Sequence, residues 1–577
     1  MNGSTQKSYY PVRWWLLLTL FTLAMSVLLW RAADLQLLNN DFLRNHGDAR
    51  SVRVVTIPAH RGVITDRNGE PLAMSTPVHS VWATPRKVLE YPGQLASLAE
   101  LLGISEKELV QSLKDRIGRD FVYLKRHIDP DLANQVNALN LSGVYLQREY
   151  RRYYPAGEVT AHIIGFTNVD DNGQEGLELA YDAWLQGVPG AKRVLKDRLG
   201  RVVENIESIR APEPGKALSL SIDQRVQYLA YRELKAAVQY HQARGGSLVM
   251  LDTKTGEVMA MVGQPSYNPN NRNNLKGEYY RNRTVTDVFE PGSTLKPFTI
   301  AAALESGQYL PSTTIDTRPG YFRVGGHTIR DIHDYGVIDV TTVIKKSSNV
   351  GASKIALSLE PKALWEILSK VGFGQPSGSA FPGESSGSLT SYNNWSEVEH
   401  ATIAFGYGLS MTPLQLAQAY AVLAAGGIMI PVSFTRLSDP AAGVRVISAS
   451  VARQVCEMLE TVVQDHGTGG RAAVRGYRVA GKTGTVHKSS AGGYSEDRYL
   501  SLFAGMAPAS DPRIAMVVVI DEPGGSEHFG GQVAAPVFSR VMAGALRLLN
   551  IAPDDIPAFS SQVMASTVSP DHTEGLQ

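Results

Sequence analysis

Cysteine is almost missing from this chain, since its 577 residues hold only Cys456. A single thiol excludes an intrachain disulfide and a cysteine metal cluster, and reads most simply as a small buried apolar side chain. No H-E-x-x-H run occurs, and His327, His333, His466 and His487 stand at no metal-ligand spacing. No metal and no cofactor are therefore predicted. An excess of either charge is lacking too: Lys plus Arg number 56 against 55 Asp plus Glu, a net +1, which leaves nucleic acid no electrostatic footprint. Hydrophobic residues at 43% and charged residues at 19% exclude a disordered, collagen-like or polytopic membrane protein. No internal repeat is present. Gly467-Thr468-Gly469-Gly470 lacks the Lys-Ser/Thr of a phosphate loop and follows a helix-like stretch rather than a strand, so a plain loop is expected there.

Long apolar runs are also scarce, with one exception. WWLLLTLFTLAMSVLLW, from Trp14 to Trp30, carries no charge and closes on tryptophans, the residues of membrane interfaces. Its roughly 17 residues at ~1.5 Å rise come close to crossing a hydrocarbon layer of ~27–30 Å. Cleavage after Ala32 or Ala33 would put Trp30 or Arg31 where a signal peptidase needs a small residue, which favours an uncleaved anchor. Lys7 and Arg13 precede the span and Arg31, Arg44 and Arg50 follow it, so charge counting leaves its orientation open.

At roughly 150 residues per domain, the length allows three or four domains. After the anchor, 33–40 reads as helical, and 51–72 reads as a hairpin from its β-branched alternation and the Asn68-Gly69 turn. Nothing from there to about Pro214 resembles a catalytic site, although Arg152-Tyr153-Tyr154-Pro155-Ala156-Gly157 and Gly176-Leu177-Glu178 punctuate it. Ala211-Pro212-Glu213-Pro214-Gly215-Lys216 is a linker, and the main boundary is placed there. Beyond it, 223–240 reads as a helix capped by Asp223, 247–252 and 257–262 as hairpin strands, 478–485, 501–506 and 514–520 as further strands, and 534–549 as a helix. Helices before, between and after antiparallel strands predict an α/β (α+β) sandwich around one sheet. The expected segments are an anchor at 14–31, a second domain at 32–214, a main domain at 215–552 and a disordered tail at 553–577.

Three short patterns stand out by context. Ser293 and Lys296 form S-x-x-K within Phe289-Glu290-Pro291-Gly292-Ser293-Thr294-Leu295-Lys296-Pro297-Phe298, at the entry of an apolar helix over 298–304. Spacing i, i+3 sets hydroxyl and amine on one helical face, within hydrogen-bond reach if the amine folds back. Pro297 disfavours the helical region for Lys296, a local conflict of the kind found at working sites. Ser347-Ser348-Asn349 forms S-x-N between apolar runs, and Lys482-Thr483-Gly484-Thr485 forms K-T-G at a strand end, where the glycine is expected to let a substrate backbone pair with the edge. Each pattern alone is weak. The first could be an ordinary helix surface and the second a helix cap. Decoys exist as well: Ser4 and Lys7, Lys254-Thr255-Gly256 in a turn, Ser266-Tyr267-Asn268 and Ser391-Tyr392-Asn393. Three patterns in the right order and setting point to serine acyl transfer.

The three motifs together resemble those of the class B, monofunctional penicillin-binding proteins, which are peptidoglycan DD-transpeptidases. Arg61-Gly62-Val63-Ile64-Thr65-Asp66-Arg67-Asn68-Gly69 resembles the family's pedestal motif, and Phe405-Gly406-Tyr407-Gly408-Leu409-Ser410-Met411-Thr412 resembles a signature of its division-specific subtype. The resemblance implies a transpeptidase domain with an antiparallel sheet flanked by helices, an elongated β-rich pedestal domain and one transmembrane helix. It implies that Ser293 attacks a D-Ala-D-Ala stem peptide, that D-alanine leaves, and that the amine of a second stem peptide resolves the acyl-enzyme into a crosslink. Lys296 would be the general base, made neutral by burial and by the nearby Lys482 charge. Ser347 would relay the proton, and Asn349 would orient the substrate amide and the Lys296 amine. Backbone N–H groups of Ser293 and Thr485 would stabilise the oxyanion. Lys482, Thr483 and Thr485 would receive the substrate carboxylate, with Gly484 among the substrate-binding residues, and Tyr407 would either line the cleft or pack. A β-lactam offers a similar carboxylate and a strained carbonyl, so it would acylate Ser293 and stay.

The partners implied are peptidoglycan stem peptides, β-lactams, a SEDS-family glycosyltransferase (FtsW) and other division membrane proteins, with no nucleic acid. The implied location is the inner membrane, single-pass, with a cytoplasmic tail at 1–13 and a periplasmic catalytic body. His487 and His528 depart from the Arg and aromatic residue expected of the subtype. Two rival readings share the motifs: a hydrolytic DD-carboxypeptidase or β-lactamase relative, and a non-enzymatic penicillin-binding sensor or division scaffold.

Overall fold

A computed structural model describes residues 11–38, 52–196, 202–273, 277–490 and 493–555. Ser4, Lys7, Arg44, Arg50 and the tail from 556 onward lie outside the described residues. Pro11–Ala33 is one helix, and among the described residues Pro11–Leu37 is the candidate membrane span, with a mean hydropathy of 1.8. Its few polar side chains satisfy themselves within the helix: Thr19, Thr22 and Ser26 donate to the carbonyls of Trp15, Leu18 and Thr22 at 2.7, 2.7 and 2.8 Å.

Two compact units follow, one of 1–60, 77–151 and 187–215, the other of 61–76, 152–186 and 216–577. In the first, Val52–Ile57 pairs antiparallel with Gly190–Lys196, which pairs with Val202–Arg210. A separate core in this unit gathers Val81, Leu95, Leu98, Leu102, Leu109, Leu113, Ile128 and Val136. The hairpin expected across 51–72 therefore needs correction. Val52–Ile57 finds a partner more than 130 residues away, and the Asn68-Gly69 turn closes only Ile64–Thr65 onto Pro71–Ala73. Asp66 shapes that turn by accepting from Asn68 N and Glu70 N at 2.7 and 2.9 Å. Side-chain alternation marks a strand but carries no information on its partner.

The second unit holds the main sheet. Helix α1 (Gln224–Tyr240) starts at Asp223, whose carboxylate accepts from Arg225 N at 3.0 Å, a cap contributing about 1 kcal/mol. Strands β1 (Gly245–Asp252) and β2 (Val258–Gln264) follow. Helices α2 (Lys296–Glu305), α3 (Val340–Lys346), α4 (Asn349–Leu357), α5 (Pro413–Ala424) and α6 (Ala449–Val463) come next. Strands β3 (Ala480–Ser490), β4 (Gly493–Ala507) and β5 (Ile514–Asp521) and helix α7 (Ala535–Leu548) close the unit. The sheet is antiparallel in the order β2-β1-β5-β4-β3, which leaves β3 at an edge.

Alternation sorts the sheet's residues between two cores. Val249, Leu251, Val517 and Val519 face one way and join a cluster with α2, α5 and α6; Leu248, Met250, Met516 and Val518 face the other and join α1 and α7. Because α2 and α5 are covered on all sides, they are apolar all round rather than amphipathic. The fold matches the expected sandwich. Strands β3 and β4 run further than the sequence indicated, since the polar stretches 487–490 and 493–499 continue as paired strands beyond the core.

The same unit contains a buried charge network. Arg61 donates through Nε to Glu178 Oε2 at 2.7 Å and through Nη1 to Asp182 Oδ1 at 2.7 Å, while Arg152 Nε donates to Glu178 Oε1 at 2.6 Å. Glu178 is fully buried, with a guanidinium on each carboxylate oxygen.

Candidate active site

Ser293 sits in a 3-10 turn, Gly292–Leu295, that runs directly into α2. Lys296 adopts helical angles, φ −50° and ψ −37°, so the conflict expected from Pro297 is resolved in favour of the helix. Pro297 occupies the first turn of α2, where its missing N–H has no intrahelical partner to lose. The serine's bed is unusually close. Gly292 N donates to Gly406 O at 3.1 Å, and a Cβ on Gly406 would lie 2.1 Å from Gly292 O. With φ of +53° and +91°, both positions need glycine twice over, for conformation and for space.

Three segments far apart in sequence converge on one hydroxyl, that of Ser347. Lys296 Nζ lies 3.0 Å from Ser293 Oγ, 3.1 Å from Ser347 Oγ, 2.5 Å from Ser347 O and 2.7 Å from Asn349 Oδ1. Lys482 Nζ donates to Ser347 Oγ at 2.9 Å and to Thr483 O at 3.2 Å. Both lysines are completely buried. Burial pulls the Lys482 amine down to about 7. Burial first, then the Lys482 charge, holds the Lys296 amine well below the ordinary lysine range, with Asp331 pulling the other way. Two ammonium groups sharing one hydroxyl in a dry site repel strongly, so one must give up its proton.

The S-x-N segment is held by a residue the sequence reading missed. Ser347 ends α3 in the left-handed region, φ +63°, and Ser348 caps α4 by accepting from Gly351 N at 2.8 Å. Asp331 accepts from Ser348 Oγ and Asn349 N, each at 2.5 Å, and from Val350 N at 3.0 Å. Its carboxylate thus sits on the N-terminus of α4 and fixes the turn that presents Ser347 and Asn349. The helix-cap reading of this motif holds for Ser348, while the Ser347 hydroxyl lies between the Lys296 and Lys482 amines. Asp331 belongs to no short motif, and no spacing rule would have found it.

On the edge strand, Thr483 Oγ1 lies 2.9 Å from Thr468 Oγ1, and Thr485 Oγ1 accepts from Gly530 N at 3.0 Å. Gly467-Thr468-Gly469-Gly470, expected to be a plain loop, therefore borders the K-T-G strand. The expectation for Gly484 changes in kind. A Cβ there would meet Thr294 Cγ2 at 3.0 Å and Pro291 O at 3.2 Å, so the missing side chain serves the close approach of the serine turn to β3.

Tyr407 is held from several sides. Its ring packs on Phe405 and, edge to face at 5.3 Å, on Tyr494 of β4, and its hydroxyl meets the His487 backbone. Glu290, three residues before Ser293, accepts from Gly408 N at 2.8 Å and from Tyr494 OH at 3.0 Å. His487 Nδ1 lies 2.8 Å from Ser495 O, and its ring and that of His528 both lie on Tyr499, with centroids 4.6 and 4.3 Å away. The decoys go elsewhere. Lys254 pairs with Asp511 at 2.6 Å in an exposed turn, and Ser266 Oγ donates to Glu158 O at 2.8 Å. Cys456 is buried, and burial pushes its thiol up to about 12.

Comparison with known proteins adds a second line of argument. The family described as Penicillin binding protein transpeptidase domain matches residues 246–543, and the Penicillin-binding Protein dimerisation domain matches 56–220. The chain is 46% identical over 537 residues to the peptidoglycan D,D-transpeptidase FtsI of Escherichia coli, covering 92% of this chain and 91% of that one. It is 43% identical over 554 residues to the probable peptidoglycan D,D-transpeptidase PbpC of Pseudomonas aeruginosa, covering 96% and 98%. Among solved structures, it is similar to the transpeptidase domain of Burkholderia pseudomallei penicillin-binding protein 3, with 43% identity, a TM-score of 0.55, and coverage of 59% of this chain and 98% of that one.

Proposed function

The chain belongs to the class B penicillin-binding proteins of the FtsI type, and from that premise we propose how its own residues carry out the reaction. The chain is a peptidoglycan D,D-transpeptidase, a serine acyl-transfer enzyme of cell-wall synthesis and division. Peptidoglycan is its substrate, and β-lactams bind it.

In our reading Ser293 is the nucleophile and Lys296 its base. The hydrogen bonding of the Lys296 amine carries this assignment. A neutral amine has two N–H donors and one lone pair. The two carbonyl acceptors, Asn349 Oδ1 at 2.7 Å and Ser347 O at 2.5 Å, take the two protons, and the lone pair is left for the Ser293 hydroxyl at 3.0 Å. Loss of the Ser293 proton to Lys296 accompanies attack on the penultimate D-alanine carbonyl. Ser347 Oγ, placed 3.1 Å from Lys296 Nζ and 2.9 Å from Lys482 Nζ, relays a proton to the departing D-alanine nitrogen. Lys482, the charged partner, receives the terminal carboxylate with Thr483 and Thr485, Gly484 leaves room on the substrate-binding strand, and Asn349 orients the Lys296 amine and the substrate amide. The N–H groups of Ser293 and Thr485 stabilise the oxyanion. Tyr407 forms the rim beside them. Incubation with a fluorescent penicillin, digestion and mass spectrometry tests the assignment. Stable label on the Ser293 peptide is expected; rapid turnover would favour a hydrolase, and no label would overturn the reading.

We also assign 14–31 to a single-pass inner-membrane anchor, 1–13 to the cytoplasm, 32–214 to a pedestal and 215–552 to a periplasmic catalytic domain, the side on which the cell wall lies. The composition of Trp14 to Trp30 supports the anchor. A SEDS-family polymerase, FtsW, is the partner that would supply glycan strands, met with other division membrane proteins through anchor and pedestal. Deleting residues 1–35 is expected to abolish complementation of a depleted strain; normal complementation would overturn the anchor-dependent partnership.

A further inference from the structure

Two strand edges of the first unit are left open and unguarded. Val52–Ile57 pairs only with Gly190–Lys196, and Val144–Tyr153 pairs only with Pro71–Ala83, so among the described residues each keeps one edge without a partner strand. An open edge is a template for another chain, and proteins blunt it with charge or proline. Val202–Arg210, at the opposite side of the same three-stranded sheet, is blunted in that way by Glu204, Glu207 and Arg210. Val54-Val55-Thr56-Ile57 and Val144-Tyr145-Leu146-Gln147 carry neither. Five of the six residues in Val52–Ile57 are β-branched, yet none is buried, so nothing in the described fold covers this strand.

The two edges line one groove of about 1020 Å³, to which 54–58 and 140–148 contribute as unbroken runs. A sheet face would contribute every second residue, so the groove follows the strand edges, where the backbone N–H and C=O groups lie. Five residues at ~3.3 Å rise give it a length of about 17 Å, that of an ordinary strand. Trp82, with Phe121 and Tyr145 packed on it at centroid distances of 4.7 and 4.3 Å, adds an aromatic wall. The charge of the lining has one sign: Arg148 and Lys192 belong to it and no Asp or Glu does. Among the described residues neither cation pairs with a carboxylate, whereas in the same unit Arg126 meets Glu149 at 3.1 Å and Arg193 meets Glu207 at 2.8 Å.

We propose that this groove is a strand-addition site for an extended, carboxylate-bearing segment of another protein. The segment's backbone pairs with the open edges, and its alternating side chains divide, apolar ones toward Trp82, Phe121 and Tyr145 and acidic ones toward Arg148 and Lys192. A glycan fits the groove less well, because it offers no row of amides to two unpaired backbone edges. A second copy meeting this one through the same edges brings no carboxylate to the two cations.

The test titrates the full-length protein in detergent into a fluorescent octapeptide of alternating valine and glutamate, read by anisotropy. A Kd of about 100 μM or tighter is expected. An ester-backbone copy, which keeps the side chains and loses the N–H donors, should bind at least about tenfold more weakly, and so should a valine–lysine peptide. In the double variant Arg148→Glu, Lys192→Glu the order of the two charged peptides should reverse, while circular dichroism and penicillin labelling of Ser293 stay as in the parent protein. Equal binding of the ester copy would overturn strand addition, and an unreversed order in the double variant would overturn the charge assignment. Absence of peptide binding up to about 1 mM would overturn both. Displacement of the peptide by glycan chains stripped of their stem peptides would assign the groove to sugar, and self-association in light scattering that the peptide dissolves would assign it to a second copy; either result would overturn the proposal.

Discussion

Two buried charge clusters lie in the same unit and follow opposite rules. Around Glu178, one carboxylate is clamped by Arg61 and Arg152, with Asp182 on the far side of Arg61, so every full charge meets its opposite. Around Ser347, two amines of the same sign close on a single hydroxyl, at 3.1 and 2.9 Å, and the nearest anion, Asp331, spends itself on Ser348 Oγ and two backbone N–H groups. The first arrangement stabilises the charged forms of its members; the second makes one member give up its proton. Burial alone therefore does not identify a working site. The sign of the neighbours decides whether a buried charge locks the fold or drives chemistry.

The sharpest break of this contrast is Lys296→Met. Penicillin acylation should fall by about 10³-fold or more, while the unfolding temperature holds within about 2 °C or rises, because a desolvated amine is a stability cost. Fluorescent labelling and calorimetry read the two effects, and a large loss of stability would place Lys296 with the structural cluster. Glu178→Gln should do the reverse. Two guanidinium groups left facing a neutral amide should cost about 3–5 kcal/mol, measured by denaturant unfolding, and a cost under about 1 kcal/mol would erase the distinction. A gentler probe is pH. As the pH falls Lys296 takes up a proton and loses the lone pair its proposed role as base requires; as the pH rises through about 7 Lys482 loses the charge proposed to receive a carboxylate. Acylation should accordingly pass through a maximum, and a rate flat from about pH 5 to 9 would contradict the like-charge pair. The smallest effect is expected at the decoy: Lys254→Ala should leave acylation within about twofold, as its exposed pair with Asp511 is worth little.

Much of this was legible in the sequence. Period-two runs located the central strands, Asp223 marked the start of α1, and the settings of Ser293, Ser347 and Lys482 set them apart from four decoys. Pairing between distant segments was not legible. Val52–Ile57 looks like half of a hairpin until Gly190–Lys196 is seen beside it. The strand continuations at 487–490 and 493–499 fall outside the expected strands because they leave the core and have no buried face to impose alternation. Asp331, Thr468 and Glu290 make their contacts with backbone N–H and hydroxyl groups, and such contacts leave no periodicity and no spacing behind. Arg61, Arg152 and Glu178 read as three unrelated residues; only folding makes them one network.

The contact between Gly292 and Gly406 bears on antibiotic resistance. Any side chain at 406 would strike the carbonyl one residue before the nucleophile, so selection under a β-lactam has no viable substitution to explore there. Escape must instead pass through places where rings merely rest on one another, as His487 and His528 do on Tyr499. At that margin His487 and His528 already depart from the Arg and aromatic residue expected of the subtype, and surveillance of clinical or environmental variants should concentrate there.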